Sequence, residues 1–216
     1  GTLTAAICLP GDYNVRNAAT ALAMIDQAGL DMSAALPGLA RAVIPGRMQP
    51  VELTTPDGRG APRVYVDFAH TPQAVASALG ALNHLALTSA RVIVVLGAGG
   101  DRDPDKREPM GRAAVEGADV VVVTDDNPRS EDPAAIRSRV LAGARSAVAQ
   151  ARPGSRTARV ECLDGGERRS AIGLALRLAR QGDAVAILGK GHERTQQLAY
   201  RTIDFDDVGG ARDKGA

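Results

Sequence analysis

The apolar residues of this chain change rhythm several times, and the changes mark out its elements. Residues 14–29 form an Ala/Leu-rich stretch that predicts a helix, with Asn14 placed to cap it and Gly29 to end it. A second, shorter helix is predicted after Asp31-Met32-Ser33, stopping near Ile44-Pro45-Gly46. Pro45-Gly46 is the first strong break and a candidate hinge. Beyond it, short β-branched runs alternate with longer Ala/Leu-rich ones. Strands are predicted over Arg63–Ala69, Arg91–Leu96, Asp119–Thr124, Arg159–Leu163 and Ala184–Leu188. Helices are predicted over Pro72–Leu87, Glu108–Gly117, Asp132-Pro133 to about Gln150, and Gly166–Arg180. The run Val120-Val121-Val122-Val123-Thr124 has no polar alternation, as expected of a strand covered on both faces. Strands alternating with helices of this length imply βαβ units, hence an α/β fold with a mostly parallel sheet.

Composition narrows the function classes. Aromatic residues make up 2% of the 216 residues and Trp is absent, so the core must be built from Ala, Val, Leu and Ile, and a base-stacking surface is not expected. A net charge of +1 points to neither nucleic acid nor an anionic membrane as partner. Cys8 and Cys162 have no metal-ligand or redox spacing, which suits a reducing cytoplasm. No apolar run approaches membrane-spanning length and no cationic-then-apolar leader opens the chain. The opening Gly1-Thr2-Leu3-Thr4 has no initiator Met and reads as the middle of a longer protein.

The candidate chemistry lies in four loops that follow predicted strands and should therefore gather along one sheet edge, where open α/β sheets bind ligands. In Asp126-Asn127-Pro128-Arg129, Pro128 stiffens the turn, Asn127 offers a donor and an acceptor, and Arg129 offers a planar fork for a carboxylate or phosphate. On these four residues alone an ordinary strand-to-helix turn is the favoured reading. Gly97-Ala98-Gly99-Gly100-Asp101-Arg102-Asp103 lacks the full dinucleotide pattern, and its acids would repel a pyrophosphate. It reads either as a backbone approach to a ligand with Arg102 facing a carboxylate, or as a surface loop with an Arg–Asp cluster. In Gly189-Lys190-Gly191-His192-Glu193, Glu193 would serve as counter-charge to an ammonium, while a plain turn remains the alternative. His192 has no partner spaced like a zinc ligand. Asp67 and His70 frame the end of the first predicted strand, where Thr71 and Pro72 also read as a helix start, and Arg47 follows the hinge. Asp67 suits a ribose hydroxyl and Arg47 a phosphate; His84, within a helix, has no assigned role.

Taken together these segments resemble the Mur ligase family, over nearly the whole chain and in the family's order. They are Leu9-Pro10-Gly11-Asp12-Tyr13-Asn14-Val15-Arg16-Asn17, Pro45-Gly46-Arg47-Met48, Val66-Asp67-Phe68-Ala69-His70-Thr71-Pro72, Gly99 to Asp103, Thr124 to Arg129, Gly189 to Glu193, and Phe205-Asp206-Asp207. The resemblance implies a three-domain enzyme. Residues 1–45 would be the helical tail of its central ATP-binding domain, and 46–216 its Rossmann-like, amino-acid-binding C-terminal domain, with helices on both faces of the sheet. It implies ATP-dependent amide formation for peptidoglycan precursors. An acyl phosphate forms on UDP-MurNAc-L-Ala-D-Glu, an amine of meso-diaminopimelate attacks it, and Mg2+ offsets the phosphoryl charge. By matching positions, Asn14, Asn17, Arg47, Asp67 and His70 would serve ATP. Arg102, Asp126, Asn127, Pro128, Arg129, Gly189 and Glu193 would serve diaminopimelate. The family's usual Glu after Arg-Met is Gln49 here, with little effect expected. The phosphate loop G-x-x-x-x-G-K-[ST] does not occur in these 216 residues, so the family's phosphate loop, magnesium ligands and modified lysine are expected upstream. The nucleotide-sugar dipeptide is likewise expected to be held mainly by upstream domains. Two other readings stand beside this one. One is a related ligase such as a folylpolyglutamate or cyanophycin synthetase, not expected to carry the Asp126–Arg129 motif. The other is a non-catalytic amino-acid-binding module.

Overall fold

The computed structural model describes residues 4–53, 60–85 and 90–215. Two helices open it, α1 (Asp12–Gln27) and α2 (Met32–Leu39). Asn14 does not cap α1. The helix starts two residues earlier with Gly11 at its N-cap, and Asn14 is buried inside it, its Nδ2 donating to the Pro10 carbonyl at 2.7 Å. Gly29, at φ 71°, follows the last turn as expected. Asp31 caps α2 by accepting from the Ser33 amide at 2.8 Å, but α2 ends at Leu39 rather than near Ile44.

The remainder alternates strand and helix: β1 (Gln49–Val51), β2 (Arg63–Asp67), α3 (Pro72–Leu85), β3 (Val92–Leu96), α4 (Arg107–Gly117), β4 (Val120–Thr124), α5 (Pro133–Gln150), β5 (Glu161–Gly166), α6 (Arg168–Leu178) and β6 (Ala184–Leu188). A short hairpin, β7 (Thr195–Gln197) with β8 (Thr202–Asp204), and α7 (Asp207–Gly215) complete it. The predicted end of α3 at Leu87 lies outside the described residues. The predicted strand at Arg159 starts later, because residues 157–159 form a 3-10 turn, and it runs on to Gly166.

Six strands form one sheet in the order β1-β2-β6-β3-β4-β5, parallel throughout except for β1 at its edge. Strand periodicity divides the core between the two faces. Val92, Val94, Leu96, Val121, Val123, Ala186 and Leu188 pack with α3, α4 and α5. Ile93, Val95, Val120, Val122, Val185 and Ile187 pack with α6 and α7. The apolar runs read from the sequence are therefore strands buried on both faces, with helices on each. The order also sets β2, β6, β3 and β4 side by side, so the four chemistry-bearing loops leave one edge as neighbours.

Away from that edge Asp183 ties three segments together. It accepts from the Arg91 amide, the Arg180 amide and the Arg91 guanidinium at 2.8–3.1 Å. Burial works to raise its pKa, but these hydrogen bonds and the Arg91 charge outweigh it and leave the carboxyl below its ordinary value. A depressed folded pKa means stabilisation that is complete above the unfolded carboxylate value and drains away as pH falls through the folded one. Denaturant titrations from neutral to acid pH should therefore show the wild type losing more stability than Asp183→Asn. Parallel losses would contradict this role.

Candidate functional site

The loops after β3 and β4 close on each other. The Gly100 amide donates to the Asn127 carbonyl at 2.9 Å, and a Cβ at Gly100 would collide with the Pro128 carbonyl, so only glycine fits this approach. Asp101, at φ 51°, accepts from the Ser130 hydroxyl at 2.6 Å and amide at 3.2 Å, and its own amide donates to Glu131 at 2.6 Å. Buried Arg107 holds the same Glu131 at 2.8 Å. The two loops thus form one rigid lip, and Asp101 braces the lip rather than pairing with Arg102 through its side chain. Among the described residues Arg102 donates only to the Asp101 carbonyl, at 3.2 Å, and its side chain is exposed.

The β7–β8 hairpin supports the turn after β4 from behind. Gln196 Nε2 donates to the Asp126 carbonyl at 2.6 Å, and the Gln197 amide donates to Asn127 Oδ1 at 2.9 Å. The Arg129 amide donates to the Gln197 carbonyl at 3.1 Å, and Arg129 Nε to Gln197 Oε1 at 2.9 Å. Arg129 itself sits at φ 52°, a left-handed conformation uncommon outside glycine and asparagine, and its NH1 donates to the Gly100 carbonyl at 2.7 Å. Both acceptors of the guanidinium are neutral, so it forms no salt bridge among the described residues.

These loops enclose a cleft of about 270 Å³ lined by Phe68, His70, Arg102, Lys106, Asp126, Asn127, Arg129, Gly189 and Glu193, among others. Six of the seven residues expected to serve an amino acid meet here. The seventh, Pro128, lies under the lip against Gly100. Asn127 Nδ2 donates to Glu193 Oε2 at 2.9 Å. Burial works to raise the Glu193 carboxyl, yet hydrogen bonds from Lys190 and Asn127 and the charges of Lys190 and Arg129 leave it below its ordinary value. The cleft therefore presents arginines and Lys106 beside the acidic side chains of Glu193 and Asp126, a pattern that suits a small zwitterion. A larger cavity, about 440 Å³, lies between α1 and α3. Gly11, Tyr13, Ser77, Ala81 and Leu85 line it with exposed Asp12, Arg16 and His84, so it carries one acid and one arginine where the strand-edge cleft carries two of each.

The residues expected to serve a nucleotide are grouped more loosely. Arg47 lies over the Phe68 ring at 5.0 Å, and the His70 ring meets Phe68 edge-on at 4.5 Å. His70 also lines the amino-acid cleft. Asp67 is buried and accepts from the Met48 amide at 2.7 Å and the Ala69 amide at 2.8 Å. It therefore fixes the hinge segment. Burial pushes its carboxyl up, against those amides and the Arg47 charge. Burial, and then the charge of Asp67, push the Tyr13 phenol up to about 12, against Arg47, so the start of α1 reaches this group. Asn17 Nδ2 points to Asn14 Oδ1 at 3.5 Å. Gly46, at φ 68°, packs against the Gly191–His192 backbone, and its amide donates to Gln49 Oε1 at 2.8 Å. A neutral carbonyl oxygen suffices for that contact, which is why Gln serves where acid was expected.

Three groups escaped the sequence reading. Lys190 is wholly buried and bonded to Asn127 and Glu193. Arg168, on α6, is wholly buried against Asp207 and donates to the Leu188 carbonyl at 3.0 Å and the Asp125 carbonyl at 3.4 Å, pinning two strand ends. Gln196 and Gln197 lie in a hairpin with no apolar alternation. Only the position of Lys190 inside a quoted motif offered a signal.

Residues 46–191 match the family described as Mur ligase, glutamate ligase domain. Over 207 residues the chain is 44% identical to a UDP-N-acetylmuramoyl-L-alanyl-D-glutamate–2,6-diaminopimelate ligase of Corynebacterium efficiens, covering 96% of this chain and 37% of that protein. It is 40% identical to a UDP-N-acetylmuramyl-tripeptide synthetase of Leifsonia xyli, covering 97% and 39%. A solved diaminopimelate ligase of the first name superposes on 99% of this chain and 40% of its own with TM-score 0.66 at 33% identity. A folylpolyglutamate synthase of Mycobacterium tuberculosis, solved with ADP and AMPPCP, covers 85% of this chain with TM-score 0.60 at 25% identity. The chain thus spans well under half the length of these relatives.

Proposed function

We propose, from the premise that this chain belongs to the Mur ligase family, that it supplies the amino-acid site of an ATP-dependent ligase. That ligase adds meso-diaminopimelate to UDP-MurNAc-L-Ala-D-Glu during peptidoglycan precursor synthesis. The observation that carries this reading is the cleft, which Arg102 and Arg129 line together with Asp126 and Glu193. A ligand with two carboxylates and two ammonium groups complements such a set, because each of its charged groups finds an opposite charge in the lining. The name of the Corynebacterium efficiens relative supports the same substrates, and that of the Leifsonia xyli relative a UDP-N-acetylmuramyl-tripeptide product. The family match begins at residue 46, which supports residues 1–45 as the tail of a central domain and 46–216 as the C-terminal one. Exposed Val15, Met24 and Leu30 on the leading segment are consistent with that division.

Within this frame the chain's own residues bind and orient. The cleft holds diaminopimelate so that one amine faces the carboxyl carbon activated by ATP, and positioning converts a bimolecular attack into a local one. Arg47 forms no salt bridge among the described residues and suits a phosphate. Each Asp67 oxygen accepts one amide and retains a lone pair for a ribose hydroxyl. Asn14, Asn17 and His70 complete the proposed nucleotide side. Among the described residues no three His, Cys, Asp or Glu side chains stand together as a metal cluster. No helix among them is long and apolar enough to cross a membrane.

The test is a phosphate-release assay with nucleotide-sugar dipeptide, ATP and meso-diaminopimelate. A full-length ligase carrying these residues should turn over with diaminopimelate and form the tripeptide, while the 216-residue chain alone should not exceed a buffer control. Turnover by the chain alone, or full-length activity with another amino acid in preference, would contradict the reading.

A further inference from the structure

The Lys190 ammonium is fully buried, so it cannot touch a ligand, yet it sits between two residues that line the cleft. Its Nζ donates to Glu193 Oε2 at 2.9 Å and to Asn127 Oδ1 at 3.3 Å. Asn127 Oδ1 also accepts from the Gln197 amide at 2.9 Å. A backbone amide can only donate, so this contact fixes which end of the Asn127 side chain is oxygen. The other end, Nδ2, donates to the same Glu193 Oε2 at 2.9 Å. Both donors therefore converge on one carboxylate oxygen. Glu193 Oε1 has no hydrogen bond among the described residues, and one Nδ2 hydrogen of Asn127 is uncommitted.

We propose that Lys190 is a positioning residue that fixes the polarity of the amino-acid site. By tying Glu193 Oε2 to Asn127 Oδ1, it leaves Glu193 an oxygen for a ligand ammonium and Asn127 an N–H for a ligand carboxylate. This rests on the function proposed above and deepens it. Without the ammonium, the half-buried Glu193 loses its nearest counter-charge and is free to rotate away, and Asn127 loses one of the two contacts that orient its oxygen. A buried lysine is costly unless paired, and this one is spent entirely on two side chains of the cleft.

The experiment uses a full-length ligase carrying these residues, in wild type, Lys190→Met, Glu193→Gln and the double variant, with each substrate varied. Lys190→Met should raise the KM for meso-diaminopimelate about 10- to 100-fold, the size expected for losing a hydrogen bond to a charged group. The KM for ATP should stay within about twofold, and the double variant should lie within about twofold of Glu193→Gln, because Lys190 acts chiefly through Glu193 while Asn127 keeps the Gln197 amide to orient it. An unchanged diaminopimelate KM with a lowered kcat would overturn the proposal, as would two penalties that multiply. Should Lys190→Met alone fail to fold, the charge-neutral double variant carries the test. A KM equal to that of Glu193→Gln supports the role, and a further rise overturns it. A wild-type ligase that releases no phosphate in response to diaminopimelate would overturn the proposed function and this inference with it.

Discussion

Arg129→Ala, in a full-length ligase carrying these residues, should lower kcat/KM for meso-diaminopimelate by about 30- to 1,000-fold, as truncating one partner of a hydrogen-bonded charge pair covered by its ligand does. Activity with L-lysine should hardly change. The two amino acids share one head and differ at the far end, where lysine lacks the second carboxylate. Arg129 is suited to read that difference. Its guanidinium is anchored by two neutral oxygens, Gly100 O at 2.7 Å and Gln197 Oε1 at 2.9 Å, so its direction is fixed while it forms no salt bridge among the described residues. Its backbone is held at φ 52° by the amide bond to Gln197, which shows that neighbouring structure places this side chain at some conformational cost. The variant should not become a good lysine ligase, because Arg102 and Glu193 still suit the original ligand. The ratio of kcat/KM for the two amino acids decides the matter. An unchanged ratio would show that Arg129 reads something other than the second carboxylate.

The second large effect is on stability. Arg168 and Asp207 are both fully buried and joined by two parallel hydrogen bonds of 2.7 and 2.8 Å. Asp207→Ala strands a guanidinium in the interior, which costs about 3–5 kcal/mol. For a chain of this length that corresponds to a fall in Tm of about 6–20 °C. Replacing both partners, Arg168→Met with Asp207→Leu, removes the stranded charge and should recover much of the loss. It cannot restore the bonds from Arg168 to the Leu188 and Asp125 carbonyls, which sit at the ends of β6 and β4 beside the cleft. Thermal unfolding of the single and double variants measures both effects. A single variant within about 2 °C of wild type would show that the pair contributes little.

How far the sequence carried these conclusions depended on how each element meets its neighbours. Val92–Leu96, Val120–Thr124 and Ala184–Leu188 were legible because a strand covered on both faces is apolar at every position. The gathering of Asp67, Gly97–Arg102, Asp126–Arg129 and Gly189–Glu193 followed from chain direction alone, since parallel strands send their following loops to one edge. The edge strand β1 was missed because it has three residues, one of them Pro50, and runs antiparallel to its neighbour. The hairpin Thr195–Asp204 was missed because Gln196 faces inward for hydrogen bonding rather than apolar packing. Lys190 and Arg168 were missed for a common reason. Charged side chains are ordinarily at the surface, and only the tertiary fold brings Asn127 to Lys190 or Asp207 to Arg168. Asn14 was misplaced by its own propensity. Asparagine is a good cap, yet here the helix had already begun at Asp12 and used the residue as a buried contact to Pro10.

The central claim is that the strand-edge cleft is where the incoming amino acid sits. A crystal structure of a full-length ligase carrying these residues, with meso-diaminopimelate bound, tests it most directly. The ligand should lie in the cleft with a carboxylate on Arg129 and an ammonium facing Glu193. Diaminopimelate found instead in the larger cavity between α1 and α3, with the strand-edge cleft empty, would contradict the account.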